Sequence, residues 1–238
     1  MPMFAGFFNY DNPVWRFIGK FWDVLVINFL WIICSIPIVT IGSSTTAMYY
    51  VTLKLARDED GYTIQSFFKS FKENFKQATA IWLIFLLTGL LLAFDVYYFM
   101  RLAAPSTLRT VMISIFLAMV FVWFAMFTYV FPLQARFYNP VKRTIFNSFF
   151  MSVRHVFHTM GMLAVDAGIL FLSITYIPQI SIFGVALIAF FNSYMLNSVF
   201  SKYMPKQEKP EDRELRPLFA DEDEKKQEEN QPSDRLNQ

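Results

Sequence analysis

The sequence predicts an all-α fold, a polytopic transmembrane helical bundle, on three observations. Of 238 residues, 55% are hydrophobic and only 17% charged, against roughly 25% charged in an average soluble domain. Apolar runs of about 20 residues, the length that crosses a hydrocarbon slab of about 30 Å, recur along the chain. Charge is also segregated: residues 205–238 carry 7 basic and 11 acidic groups, net −4, which leaves net +6 on residues 1–204.

The runs set the elements in order. Five strong spans are expected at about 21–41, 78–99, 111–133, 159–177 and 180–200. Only "MRLAAPSTLRT" separates the second from the third and "PQ" the fourth from the fifth, so each of these pairs reads as a tight helical hairpin. Residues 42–77 and 134–158 are the long links. They hold 5 and 4 of the Lys and Arg side chains, with 8 more after the last span, so the positive-inside bias puts both links and the C-terminus in the cytoplasm. A sixth, short crossing at about 40–55, "TIGSSTTAMYYVTLKL", would bring the N-terminus inside as well; it stays open, because about 16 residues give only about 24 Å of helix and its start is polar. No small-residue cleavage position follows the first run, so that span is expected to stay attached. Residues 1–204 are thus expected to form the helical domain. Residues 205–238, nearly devoid of large apolar side chains, are expected to form a disordered cytoplasmic tail.

Two ribbons interrupt the apolar pattern. "QSFFKSFKENFKQ" (Gln65–Gln77) and "NSFFMSVRHVFHT" (Asn147–Thr159) each precede a span, and at an offset of 82 they share five identities in thirteen positions. Thr46 then falls on Thr128, which extends the register and suggests an internal duplication. At 100° per residue Phe67, Phe68, Phe71 and Phe75 gather on one face and Lys69, Lys72 and Lys76 on a flank. The second copy offers Phe149, Phe150 and Phe157 with Arg154. Such helices are expected to lie in the headgroup plane against an anionic inner leaflet, or to dock a partner's helix. The adjoining spans argue against nucleic acid as the ligand.

The succession "TIGSSTTAMYYVTLKLARDEDG", "SFFKSFKENFKQA" and the apolar hairpins resembles the YesL family of bacterial membrane proteins, whose function is uncharacterised, over most of Phe7 to Lys202. The resemblance implies a multi-pass protein of the bacterial plasma membrane, from a family often found among genes for complex-carbohydrate uptake and breakdown. It supplies no catalytic residue. The acidic tail departs from what the shorter family members would lead one to expect.

Chemistry within the membrane would need ionisable groups in the spans, each costing about 2.5–3.5 kcal/mol at mid-span on insertion scales. Asp166 lies deepest and has no Lys or Arg in its own span; Asn28, Asn192 and Asn197 are the polar groups that could pair with it or build a polar site. Asp23 and Asp95 sit at span margins. The lone Cys34 permits no internal disulfide, and His155 and His158 lack companion ligands, so neither a metal nor a cofactor is expected. No phosphate loop, zinc-protease signature or nucleophile elbow occurs, and no enzyme is expected. Two readings remain: an accessory or regulatory component of carbohydrate uptake or utilisation systems, partnering a membrane transporter or sensor subunit, and a small-solute or oligosaccharide transporter using the Asp166 region.

Overall fold

A computed structural model of the chain describes residues 13–59, 61–102, 104–175 and 178–204; the charged tail at 205–238 lies outside the described residues. The chain divides into two units, Met1–Lys202 and Tyr203–Gln238, and the helices belong to the first. Among the described residues the regular structure is helical, with no strand.

Helix α1 (Pro13–Cys34) stops at a turn containing Pro37, whose ring cannot continue a helix, and a single 3-10 turn (Ile38–Thr40) leads into α2 (Ile41–Leu55). The Thr40 hydroxyl donates to the carbonyls of Cys34 and Pro37, at 2.5 and 2.7 Å, and holds that turn closed. This corrects the run read as one span over 21–41: it crosses a helix break, and the short segment left open at 40–55 is a separate helix. Apolar composition alone concealed the break, because Ile36, Ile38 and Val39 around it are as hydrophobic as the helix they interrupt.

Helix α2 is the hub of the bundle although, after α5, it is the most polar of the helices. It touches α1, α3 (Thr63–Tyr97), α4 (Thr107–Arg136) and α7 (Pro178–Phe200), and eleven of its 15 residues are buried. Helices in lipid gain little from burying apolar surface against one another, so close packing of small residues and interhelical hydrogen bonds carry the association. Both are present. Ser43 Oγ donates to the Phe75 carbonyl at 3.1 Å and lies 3.0 Å from Thr79 Oγ1, Trp31 Nε1 donates to Thr45 at 3.1 Å, and Ser193 donates to Thr52 at 2.8 Å. Gly42 lies flat against α3, where a Cβ would stand 2.5 Å from that of Trp82.

The remaining elements are α5 (Val141–Arg154) and α6 (Val156–Thr175), and α6 and α7 form the second hairpin. Contacts define one end of the bundle. Lys20, early in α1, pairs with Asp58 at 2.6 Å, and Thr63 donates to Asp23 at 2.7 Å, so α1 starts beside the α2–α3 link. Asp58 reaches Lys20 from a left-handed backbone (φ 57°), a conformation that Asp tolerates better than most residues. Asn197 donates to the Leu53 carbonyl at 3.0 Å, which brings the last turns of α7 to the same end. At the opposite end Arg109 donates to the carbonyls of Phe99 and Met100, at 2.8 and 2.7 Å, where α3 finishes in a short π-helical segment (Tyr98–Leu102).

The surface is apolar where a soluble protein's would be polar. Leu83, Ile84, Leu87, Leu90, Leu91 and Phe94 of α3 are all exposed, as are Leu170, Phe171, Leu172 and Ile174 of α6. Among the described residues four stretches, Thr63–Arg101, Thr107–Arg136, Val156–Thr175 and Phe183–Phe200, are long and apolar enough to cross a membrane. The protein is a multi-pass membrane protein.

Candidate functional site

The two ribbons have similar sequences and different structures. The first is not a separate helix: Gln65–Gln77 forms the opening turns of α3, whose 35 residues run without interruption and reach about 52 Å at 1.5 Å per residue, well beyond a hydrocarbon core of about 30 Å. A helix lying wholly in the headgroup plane was expected here; continuity with the span makes it an extension of the span instead. Phe67 is fully buried and Phe71 half-buried, while Phe68 and Phe75 are exposed, as are Lys69, Lys72 and Lys76. The second ribbon breaks at His155 (φ −112°, ψ 45°), so α5 is a helix in its own right. Its small residues Thr144, Ser148 and Ser152, with Met151, face inward, while Phe146, Phe149, Phe150, Val153 and Arg154 face outward and Phe157 just beyond it is 88% exposed. The amphipathic faces are thus reversed from those of a soluble helix.

Aligned positions therefore carry unequal loads. Phe67→Ala is expected to cost about 3–5 kcal/mol by emptying a packed site, whereas Phe149→Ala, with 38% exposure, is expected to cost about 1 kcal/mol. Unfolding of the two variants in the same detergent micelle checks this, and equal losses would mean that the ribbons are packed alike.

Gln134 ties the first ribbon to the start of α5. Its amide nitrogen donates to Gln77 Oε1 at 2.6 Å and to Asn74 Oδ1 at 3.1 Å, and Thr144 donates to its carbonyl oxygen at 3.1 Å. Three helices, α3, α4 and α5, meet on this one buried amide. Beside it opens a cavity of about 600 Å³ lined by Phe71, Lys72, Phe75, Lys76, Gln77 and Tyr138, with Glu73 the only acid on its wall. Gln134 was not anticipated; the signal for it was a polar side chain near the end of an apolar run. The wide grooves between α3 and α4 near Trp82, Gly89 and Trp123 are lined almost entirely by apolar side chains.

Of the intramembrane polar residues, the structure joins two. Asp166, midway along α6, accepts a 2.8 Å hydrogen bond from Asn192 Nδ2 of α7. The Tyr49 phenol of α2 lies within electrostatic reach of Asp166 and hydrogen-bonding reach of Asn192. Asn197 pairs with the α2 backbone instead, and Asn28 is fully buried on α1. Asp23 serves the α2–α3 link through Thr63. Among the described residues no group of three or more His, Cys, Asp and Glu side chains could hold a metal.

Comparison with known proteins gives a consistent picture. The family model described as "Protein of unknown function, DUF624" matches residues 24–96, which take in the second half of α1, all of α2 and nearly all of α3. "Uncharacterized protein YesL" of Bacillus subtilis (strain 168) is 26% identical over 187 residues, 77% of this chain and 87% of that protein. No solved structure matches. The chain is thus similar to a YesL-like family of membrane proteins whose function is uncharacterised, and the likeness includes the α2 hub and the first ribbon.

Proposed function

We propose that this protein is a non-enzymatic accessory or regulatory component of bacterial carbohydrate uptake or utilisation systems, embedded in the plasma membrane and engaging a transporter or sensor subunit at its cytoplasmic end. The observation that carries the reading is the outward turn of α5: its phenylalanines and Arg154 face away from the bundle while its small residues seal against it. A helix arranged in this way offers an apolar and basic face to the inner leaflet or to a partner's helix. The link to carbohydrate systems rests on the family resemblance alone.

The contacts at the Lys20 end support six crossings. With α1 starting beside the α2–α3 link and α2 returning to it, the N-terminus and the C-terminal tail would share the cytoplasmic side, and Arg101 and Arg109 would be the only basic residues outside. A tag at the N-terminus should then be inaccessible from outside intact cells, while one between Leu102 and Ser106 should be labelled; external labelling of the N-terminal tag would sink the six-crossing topology.

A transport reading draws on Asp166. Against it, Ser193 and Asn197 of α7 are engaged with α2, and the large grooves at span depth are apolar. Photocrosslinkers at Phe75 and Phe150 separate the readings: capture of a defined transporter or sensor subunit supports the accessory role, and recovery of lipid alone removes it. Solute uptake by proteoliposomes containing only this protein, abolished in Asp166→Asn, would establish transport instead.

A further inference from the structure

The Asp166–Asn192 contact is chemically incomplete. Asn192 is fully buried, and its Nδ2 donates to Asp166 Oδ1, yet its own Oδ1 is buried with no hydrogen-bond donor. A buried amide oxygen left unmatched is rare in folded proteins. The missing element is a donor, and two groups beside the amide can supply one: the Tyr49 hydroxyl and a protonated Asp166 carboxyl. A carboxylate has none to give, whereas a carboxylic acid has one: with its hydroxyl on Oδ2, Asp166 can donate to Asn192 Oδ1 while Oδ1 accepts from Nδ2, closing a ring of two hydrogen bonds. Among the described residues Tyr49 is the titratable group that faces the pair. The basic residues of the adjoining α4 and α5, Arg109, Arg136, Lys142, Arg143 and Arg154, lie toward the helix ends, and α6 itself holds no Lys or Arg. No cation is therefore at hand to hold Asp166 as an anion, and α6 exposes apolar side chains to lipid on either side of it.

We propose that Asp166 and Asn192 form a proton-binding site within the membrane, in which a bound proton completes an acid–amide pair that clamps α6 to α7. Binding forms an O–H bond on the Asp166 carboxylate and neutralises it; release returns the proton to water and leaves acceptor oxygens on both residues. The pair therefore has two hydrogen bonds at low pH and keeps only the Asn192 Nδ2–H bond to Oδ1 as pH rises through the titration of Asp166, so the clamp loosens. This reading is independent of the accessory role, since a proton-sensitive α6–α7 contact is compatible with either regulation or transport.

The full-length protein in nanodiscs tests it. Infrared spectra should contain a protonated-carboxyl C=O absorption that persists at neutral pH, is absent in Asp166→Asn and shifts in Asn192→Leu. Asp166→Asn keeps an amide that can pair with Asn192, so it should match the unaltered protein in thermal midpoint at low pH and lose the decline at high pH. A second measurement needs no variant. A membrane-permeant carbodiimide, which attacks protonated carboxyl groups, should modify Asp166 at neutral pH, and the modification should fall about tenfold per pH unit once the group titrates. Absence of both the absorption and the modification would overturn the proposal, as would identical pH profiles for Asp166→Asn and the unaltered protein. Protection of Asp166 by sodium at constant pH would overturn it too, by making a metal cation the occupant.

Discussion

Gly42→Val is expected to leave little or no folded protein. A Cβ at Gly42 would overlap the Ala78 carbonyl oxygen and stand 2.5 Å from Trp82 Cβ. Neither neighbour can yield by changing rotamer, because one is backbone and the other is the root of its side chain. Relief requires α2 to move away from α3, which would lengthen the Ser43 bonds to Phe75 and Thr79 on the adjacent turn. Overpacking in a dense interior commonly costs about 1–3 kcal/mol; loss of the hydrogen bonds in addition should take the total to about 4 kcal/mol or more. Gly168→Ala in α6 is the control, since a Cβ there meets nothing within 4 Å and the helix should gain about 0.5–1 kcal/mol. Monodispersity and thermal unfolding in detergent report both variants. A well-folded Gly42→Val protein would mean that α2 and α3 do not approach as closely as described.

Gln134→Leu is the second change expected to have a large effect. Leucine nearly conserves volume but removes both donors and the acceptor, stranding Asn74 Oδ1 and Gln77 Oε1 in a site where Gln134 is 2% exposed and leaving the Thr144 hydroxyl only a long contact to the Pro140 carbonyl. Each stranded group costs about 1–3 kcal/mol if water cannot reach it. The cavity beside Gln77 lets water reach part of the cluster, so a total near 3 kcal/mol is expected. Thr144→Val removes one of the same bonds, and because the two residues share it, the double variant should lose about 1 kcal/mol less than the sum of the single ones. Strict additivity would mean that the Thr144 bond contributes nothing.

The parts of the fold legible in the sequence are those in which apolar length decides the outcome. Helices α3, α4, α6 and α7 follow directly from their hydrophobic runs, because a lipid-facing helix needs about 20 apolar residues and little else. Helix α2 resisted that reading for the opposite reason: its burial is achieved with Ser, Thr and Gly through interhelical bonds, so hydropathy understates it. The ribbons show the limit of periodicity. Ser70 and Ser152 occupy matched positions and both are buried, yet one ribbon continues into its span and the other stops. The stop depends on tertiary partners: the Thr159 hydroxyl donates to the Ser152 carbonyl at 2.9 Å and lies 3.2 Å from Tyr129 of α4, an arrangement that no spacing rule encodes. In the membrane interior, polarity alone singled out Asp166 and Asn192, but choosing Asn192 over Asn28 or Asn197 required the packing of α6 on α7.

The uninterrupted course of α3 has a mechanical consequence. From Thr63 to Tyr97 it contains no proline and no break, so it behaves as a strut: a load applied near Lys72 tilts the far end near Tyr97 instead of being absorbed between them. The matched segment at α5 has a joint at His155, and a similar load there passes into α4, on which α5 packs, before it reaches α6. One copy of the ribbon is coupled rigidly along its own helix, and the other is braced sideways against a neighbouring one.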